Sequence, residues 1–173
     1  MNSNSYKVKD IKKLFGIDKN KLFYWIHTYG LLKPEIEKAS GTGTKTKFSL
    51  KNLLELAVLR EMLDFGFDLK TTRTIKMRID SYKENDENIY NAIIKDKNRD
   101  CRVLFIYKSG AKISLYVSSP AEEAVDMNSG PILSPDLSLW NLDKDRRRPP
   151  SYTGVIIQIG MIASELIEKI KKD

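Results

Sequence analysis

The chain has one cysteine, Cys101, and one histidine, His27, among its 173 residues. A lone cysteine builds no disulfide framework, and it fits a reducing compartment. With single His and Cys residues far apart, a multi-cysteine zinc or mercury sensor is excluded. A metal or triad site would need more than His27, the only histidine; a helix-surface or capping histidine is the plainer reading. Cys101 reads as a half-buried residue at a strand start. Long apolar runs are missing too: none approaches the ~20 residues of a membrane span. The polar start "MNSNSYKVKD" is no signal peptide, so a cytoplasmic protein is expected. Proline is almost absent from the first part. Only Pro34 lies there, and the other five fall between 120 and 150, marking an irregular excursion over 120–153. Glu122 and Glu123, beside a turn, do not face one another as a catalytic pair. No enzyme activity, cofactor or metal is expected.

What is present is an ordinary globular composition, 41% apolar and 31% charged, with positive charge in one place. Of the net +7, residues 1–79 carry 16 Lys/Arg against 8 Asp/Glu, hence +8, and residues 80–173 carry 14 against 15, hence −1. A basic first half is the footprint of a domain that meets a polyanion, set against the blander possibility of a solvated basic face. The run Arg146-Arg147-Arg148 could touch DNA, or be a basic loop and nothing more.

The stretch "GTGTKTKFS" (Gly41 to Ser49) invites a phosphate-binding reading. A nucleotide P-loop needs Gly, four residues, then Gly-Lys-Ser/Thr after a buried strand. Here Thr44 precedes Lys45, Ala39 stands at the first-glycine position, and the preceding "LLKPEIEKA" is no buried strand. Register and context both fail. A basic surface loop remains.

The segments around that loop read as helices. "VKDIKKLFG" puts Val8, Ile11, Leu14 and Phe15 on one face and stops at Gly16. "IDKNKLFYWIHTYG" offers Asp18 as N-cap, an apolar face of Leu22, Trp25, Ile26 and Tyr29, and an exit at Gly30. The connection of two or three residues makes a helix-turn-helix. Ser49 caps a third helix with an apolar stripe at 50, 53, 54, 57, 58, 62 and 65, and Gly66 ends it before a fourth begins in "DLKTTRTIKMRI". The basic loop, flanked by "GLLKP" and "KFS", then reads as a two-stranded wing. The expected DNA contacts are Lys19, Asn20, Lys21, Phe23 and Tyr24 from the second helix and Thr44, Lys45, Thr46 and Lys47 from the wing. Asn can pair with adenine, Lys with guanine or phosphate, and the aromatic faces with thymine methyls or sugar.

Residues 6–79, through "YKVKDIKKLFGIDKNKLFYWIHTYGLLKP" and "KFSLKNLLELAVLREMLDFGFDLKTTRTI", resemble the winged-helix DNA-binding domain of the MerR family. Five signs fall in the family's order: the Gly-hydrophobic-Asp turn, Leu-x-Tyr-aromatic, Gly-Leu-Leu-x-Pro, Phe-Ser, and Gly-Phe-x-Leu. The resemblance implies a bacterial transcriptional regulator that binds an inverted repeat of double-stranded DNA as a homodimer, with helix 19–28 in the major groove and wing 41–48 on phosphates. RNA polymerase and a small effector are further candidate partners. The chain also departs from the family. Phe23 stands where the family usually has arginine, Ile26 where it often has glutamate, and the wing has Lys45-Thr46-Lys47-Phe48 in place of Tyr-Arg-x-Tyr.

The second half lacks the family's long coiled-coil helix. "YKENDENIYNAIIKDK" reads as a helix, "CRVLFIYKSGAKISLYVSS" as a hairpin around Ser109-Gly110, and "TGVIIQIGMIASELIEKIKK" as a strand followed by an amphipathic helix from near Gly160. The expected fold class is α+β: a winged helix-turn-helix over 1–79 and a small α/β domain over 80–173 that dimerises, senses a ligand, or both. The apolar face of the last helix (Ile162, Leu166, Ile167, Ile170) and the strand around Val155–Ile159 are the expected dimer interface. The alternative function is a protein-interaction module, an antirepressor or adaptor that keeps the winged helix without operator recognition.

Overall fold

Gly16 ends the first helix in the left-handed conformation (φ 67°), and its N–H donates to the Lys12 carbonyl at 2.9 Å. The computed structural model describes residues 5–36, 46–84, 86–97, 99–109, 112–117 and 153–172. Thr44, Lys45, the run 146–148 and nearly all of the 120–153 excursion lie outside them. Strand β1 (Tyr6–Lys7) leads into α1 (Val8–Phe15), α2 (Lys19–His27), β2 (Lys47–Phe48), α3 (Leu50–Asp64) and α4 (Leu69–Ser81). There follow β3 (Lys83–Glu84), β4 (Glu87–Asn88), α5 (Ile89–Lys95), a 3-10 turn (Arg99–Cys101), β5 (Leu104–Ser109), β6 (Lys112–Val117), β7 (Thr153–Ile157) and α6 (Ile159–Lys172). The class is α+β. Among the described residues, helices alternate with three small antiparallel sheets, β1-β2, β3-β4 and β6-β5-β7.

The helix starts follow their caps. The Asp18 carboxylate accepts the Lys21 N–H at 2.8 Å, and Asp68 does the same for Thr71 at 2.8 Å. Ser49 and Asn52 form a reciprocal capping box on α3. Each such cap supplies an orphan donor of the first turn with a partner and is worth about 1 kcal/mol.

Helix α3 is the axis of the molecule. Every residue from Asn52 to Leu59 is buried, so the expected one-sided stripe is corrected to a helix enclosed on all sides. The reason is that α4, α5 and α6 all pack on it. Phe65, placed on the stripe by periodicity, is instead 54% exposed past the helix end. Among the described residues, one apolar core runs from Ile11, Leu22 and Trp25 through Leu53, Leu56 and Leu59 to Tyr90, Ile93, Leu104 and Leu166.

Three further expectations in the second half need correction. Residues 82–97 are not one helix: β3 and β4 form a hairpin turning at Asp86 (φ 63°), and only Ile89–Lys95 is helical, capped by the Asn88 side chain. Cys101 sits in the 3-10 turn, three residues before β5 begins. The apolar face of α6 is not a free interface, because Leu166 is 4% exposed in the core and Ile162 and Ile170 pack against it. The expected hairpin between β5 and β6 is present, with register Leu104↔Val117 to Ser109↔Lys112. A buried cation fastens this region: Arg102 donates to both Glu84 carboxylate oxygens at 2.6 Å and to Asp96 at 3.2 Å.

Candidate nucleic-acid interface

Helix α2 is held from behind. Leu22 is fully buried, Trp25 is 2% exposed, and Ile17 in the turn before the helix is 4% exposed. Three anchors on one side leave the opposite face to solvent, as 3.6-residue periodicity requires. On that face Lys19, Asn20, Tyr24 and His27 are exposed and Phe23 is half-buried.

The outer face is organised in two ridges. Along the first, the Lys19 ammonium lies 5.7 Å from the Phe23 ring centre, and Phe23 stacks on His27 at 5.4 Å with 23° between the planes. Along the second, Asn20 precedes Tyr24 by one turn. Tyr24 meets Tyr29 edge-on at 5.0 Å and 72°, with their hydroxyls 3.4 Å apart. That hydroxyl pairing raises the Tyr29 pKa above its ordinary value, with the charge of ionised Tyr24 acting in the same direction. Lys21 departs from both ridges: its ammonium lies 5.3 Å over the Trp25 ring, at the flank of the helix. Cation-aromatic contacts of this kind contribute about 0.5–1 kcal/mol at exposed sites.

The wing is tied down at its base. Its return strand β2 does not pair with "GLLKP", where Leu31 to Pro34 form no strand; it pairs antiparallel with the N-terminal β1, Tyr6↔Phe48 and Lys7↔Lys47. Strand alternation turns Thr46 (8% exposed) and Phe48 (fully buried) inward, with Lys47 between them on the other side. Of the expected wing contacts, Thr46 thus takes the inner face. Asn52, fully buried on α3, holds both ends of the loop. Its side-chain oxygen accepts the N–H of Glu35 at 2.9 Å and of Ser49 at 3.3 Å, and its amide donates to the Lys33 carbonyl at 3.0 Å.

A charged chain continues inward from that point. Glu35 accepts hydrogen bonds from Ser49 at 2.5 Å and from Lys51. Partial burial pushes its carboxyl up, but these bonds and the lysine charge prevail and hold it below the ordinary value. Glu55 is the opposite case. Burial raises its pKa, and Lys76 at 3.7 Å and Lys51 at 3.6 Å offset only part of the effect. Lys76 also binds Asp80 at 2.6 Å and lies 6.0 Å over the ring of Tyr90, which comes from α5 in the second half.

Sequence spacing missed several parts of this site. His27 follows Phe23 by four residues, so its place on the outer face was available from periodicity alone. Asn52 at N3 of α3 was visible as half of a capping box, although its second role at residues 33 and 35 is tertiary. Strand β1 is two residues long and carries no periodic signal. Among the described residues, no cluster of three His, Cys, Asp or Glu could hold a metal ion, and no helix is long and apolar enough to cross a membrane.

Residues 6–77 match the family model of the MerR HTH family regulatory proteins. Two relatives, described as uncharacterised HTH-type transcriptional regulators of Mycobacterium bovis and Mycobacterium tuberculosis, are each 26% identical over 125 residues, 72% of this chain. The chain spans about half the length of these relatives, the match covering 48% of each. Residues 6–77, from the first strand into α4, are therefore similar to the helix-turn-helix domain of the MerR family of regulatory proteins.

Proposed function

We propose that the chain is a sequence-specific DNA-binding transcriptional regulator acting in the cytoplasm, with α2 in the major groove and the 41–48 wing on the phosphate backbone. The observation that carries this reading is the division of α2. Its inner face is buried, and its outer face presents Lys19, Asn20 and Tyr24 together. An exposed asparagine on a basic helix suits bidentate pairing with adenine, and lysines beside it suit guanine or phosphate. The excess of +8 over residues 1–79 supplies the attraction for a polyanion.

One winged helix covers little DNA, so the reading includes a homodimer on a two-fold site. The inner face of α6 is committed to the core, so the dimer contact is made by other surfaces of residues 80–173. RNA polymerase and a small effector remain partners of this reading. The competing reading is a protein-interaction adaptor. The observation that favours it is the Phe23–His27 stack, which gives the helix an aromatic surface of the kind protein partners use.

The salt dependence of binding separates the two. Each lysine that neutralises a phosphate adds about 0.9 to the slope of log affinity against log salt. The double change Lys45→Ala, Lys47→Ala is expected to weaken binding to every duplex and to flatten the slope by roughly 1.8. Measured by fluorescence anisotropy between low and moderate salt, an unchanged slope would remove the wing from the interface.

A further inference from the structure

The outer face of α2 contains one residue that neither spacing nor family resemblance assigned to recognition. We propose that His27 is a positioning residue for base reading. Stacked on Phe23, it fixes that ring so that Lys19, Phe23 and His27 act as one ridge recognising a thymine methyl group. The inference rests on the assignment of α2 to the major groove.

The argument starts from the chemistry of a phenyl ring. Phe23 has no donor or acceptor and cannot hydrogen-bond a base edge. In the major groove the only apolar group a base pair offers is the C5-methyl of thymine. A half-buried aromatic ring on a helix surface can occupy more than one rotamer, and a mobile ring reads a methyl poorly. Here the ring is confined. His27 lies one turn further on, 5.4 Å away and only 23° from parallel, and the Lys19 ammonium stands 5.7 Å from the same ring. Residues at i, i+4 and i+8 run up one side of a helix, so the three side chains form a continuous strip. His27 is exposed at the last residue of α2, so the strip is open to a ligand along its length. Lys19, one turn from Phe23, can engage the phosphate flanking the base.

The test uses duplexes that the full 173-residue chain selects from a random pool. Each is remade with deoxyuridine for thymidine, which keeps the pairing and removes only the methyl group. The wild-type chain is expected to lose about 3- to 10-fold in affinity on the methyl-free duplexes. Phe23→Ala and His27→Ala, each shown by circular dichroism to be folded as the wild type, should bind thymidine and deoxyuridine duplexes alike. His27→Phe, which keeps a ring to stack on Phe23, should restore the methyl sensitivity. If His27→Ala keeps the wild-type response to the methyl group, or if the wild type has none, the ridge is overturned and the DNA reading stands. If the chain selects no duplex from the pool, the DNA reading falls and the ridge with it.

Discussion

Gly160→Ala is expected to cost more than about 4 kcal/mol of stability. Gly160 stands in the first turn of α6, and its N–H donates to the Arg102 carbonyl at 3.0 Å. An added Cβ would overlap the Arg99 carbonyl oxygen and lie 2.5 Å from its carbon and 3.0 Å from the Arg102 Cβ. Two of these three atoms are backbone. The Arg99 carbonyl is also committed, because it accepts the Arg102 N–H at 2.9 Å. Relief would require α6 to retreat, drawing Ile159, Ala163 and Leu166 out of the core they share with α3. At this chain length such a loss lowers Tm by roughly 10 °C or more. Thermal melting followed by circular dichroism reads it; a midpoint within about 3 °C of wild type would contradict the packing described.

Asn52→Ala carries the second largest effect, and it reaches function. The side chain is fully buried and serves the N–H of Glu35, the N–H of Ser49 and the carbonyl of Lys33, besides a 3.2 Å contact to the Glu55 carboxylate. Truncation leaves these groups without their partner, at about 1 kcal/mol for each bond and a total of about 2–4 kcal/mol. Both ends of the 37–45 loop lose their tie to α3 at once. If that loop grips phosphate as proposed, affinity for all duplexes should fall by roughly tenfold, consistent with the ordering cost shifted onto the binding step. Urea denaturation and anisotropy titration on the same preparation check both halves. Lost stability with unchanged affinity would detach the anchor from DNA binding.

Much of the first half was legible because each helix carries its own start and stop. Asp18, Ser49 and Asp68 are caps whose side chains accept the N–H they were expected to take or are suited to take. Gly16 and Gly66 adopt positive φ at helix exits, where an L side chain would be strained. Leu22 and Trp25 face inward because their spacing leaves them no other side. The misreadings have physical causes. Residues 82–88 are rich in Lys, Glu, Asp and Asn with no apolar period, so charged helix formers suggested a helix where a left-handed Asp86 makes a hairpin. The stripe on α3 overlooked Leu56 and Leu59, which lie off it and are fully buried in a helix on which α4, α5 and α6 all pack. The apolar face of α6 was visible as amphipathic, but a face alone does not say whether its partner is another copy or the chain's own core. Strand β1 and the Arg102 clasp arise from tertiary pairing and leave no local pattern.

The site divides in the same way. Asn20 and Tyr24 on one ridge, Lys19 and Phe23 on the other, follow from counting residues along α2. The placement of Lys21 over Trp25 does not, since a long flexible cation can reach either the groove or an indole, and here it covers the indole. The Phe23–His27 stack is a matter of rotamers, which spacing permits without requiring.

The most direct test of sequence reading by α2 is the affinity of wild type and Asn20→Ala for a selected duplex and for random DNA at one fixed salt concentration. Asn20 is exposed on α2, so the change is expected to leave the fold intact. A base contact of this kind is worth about 1–3 kcal/mol on the selected duplex and almost nothing on random DNA. The account predicts that loss, roughly 5- to 150-fold, on the selected duplex alone. Equal losses on both DNAs would assign Asn20 to the backbone, and no loss on either would contradict the placement of α2 in the major groove.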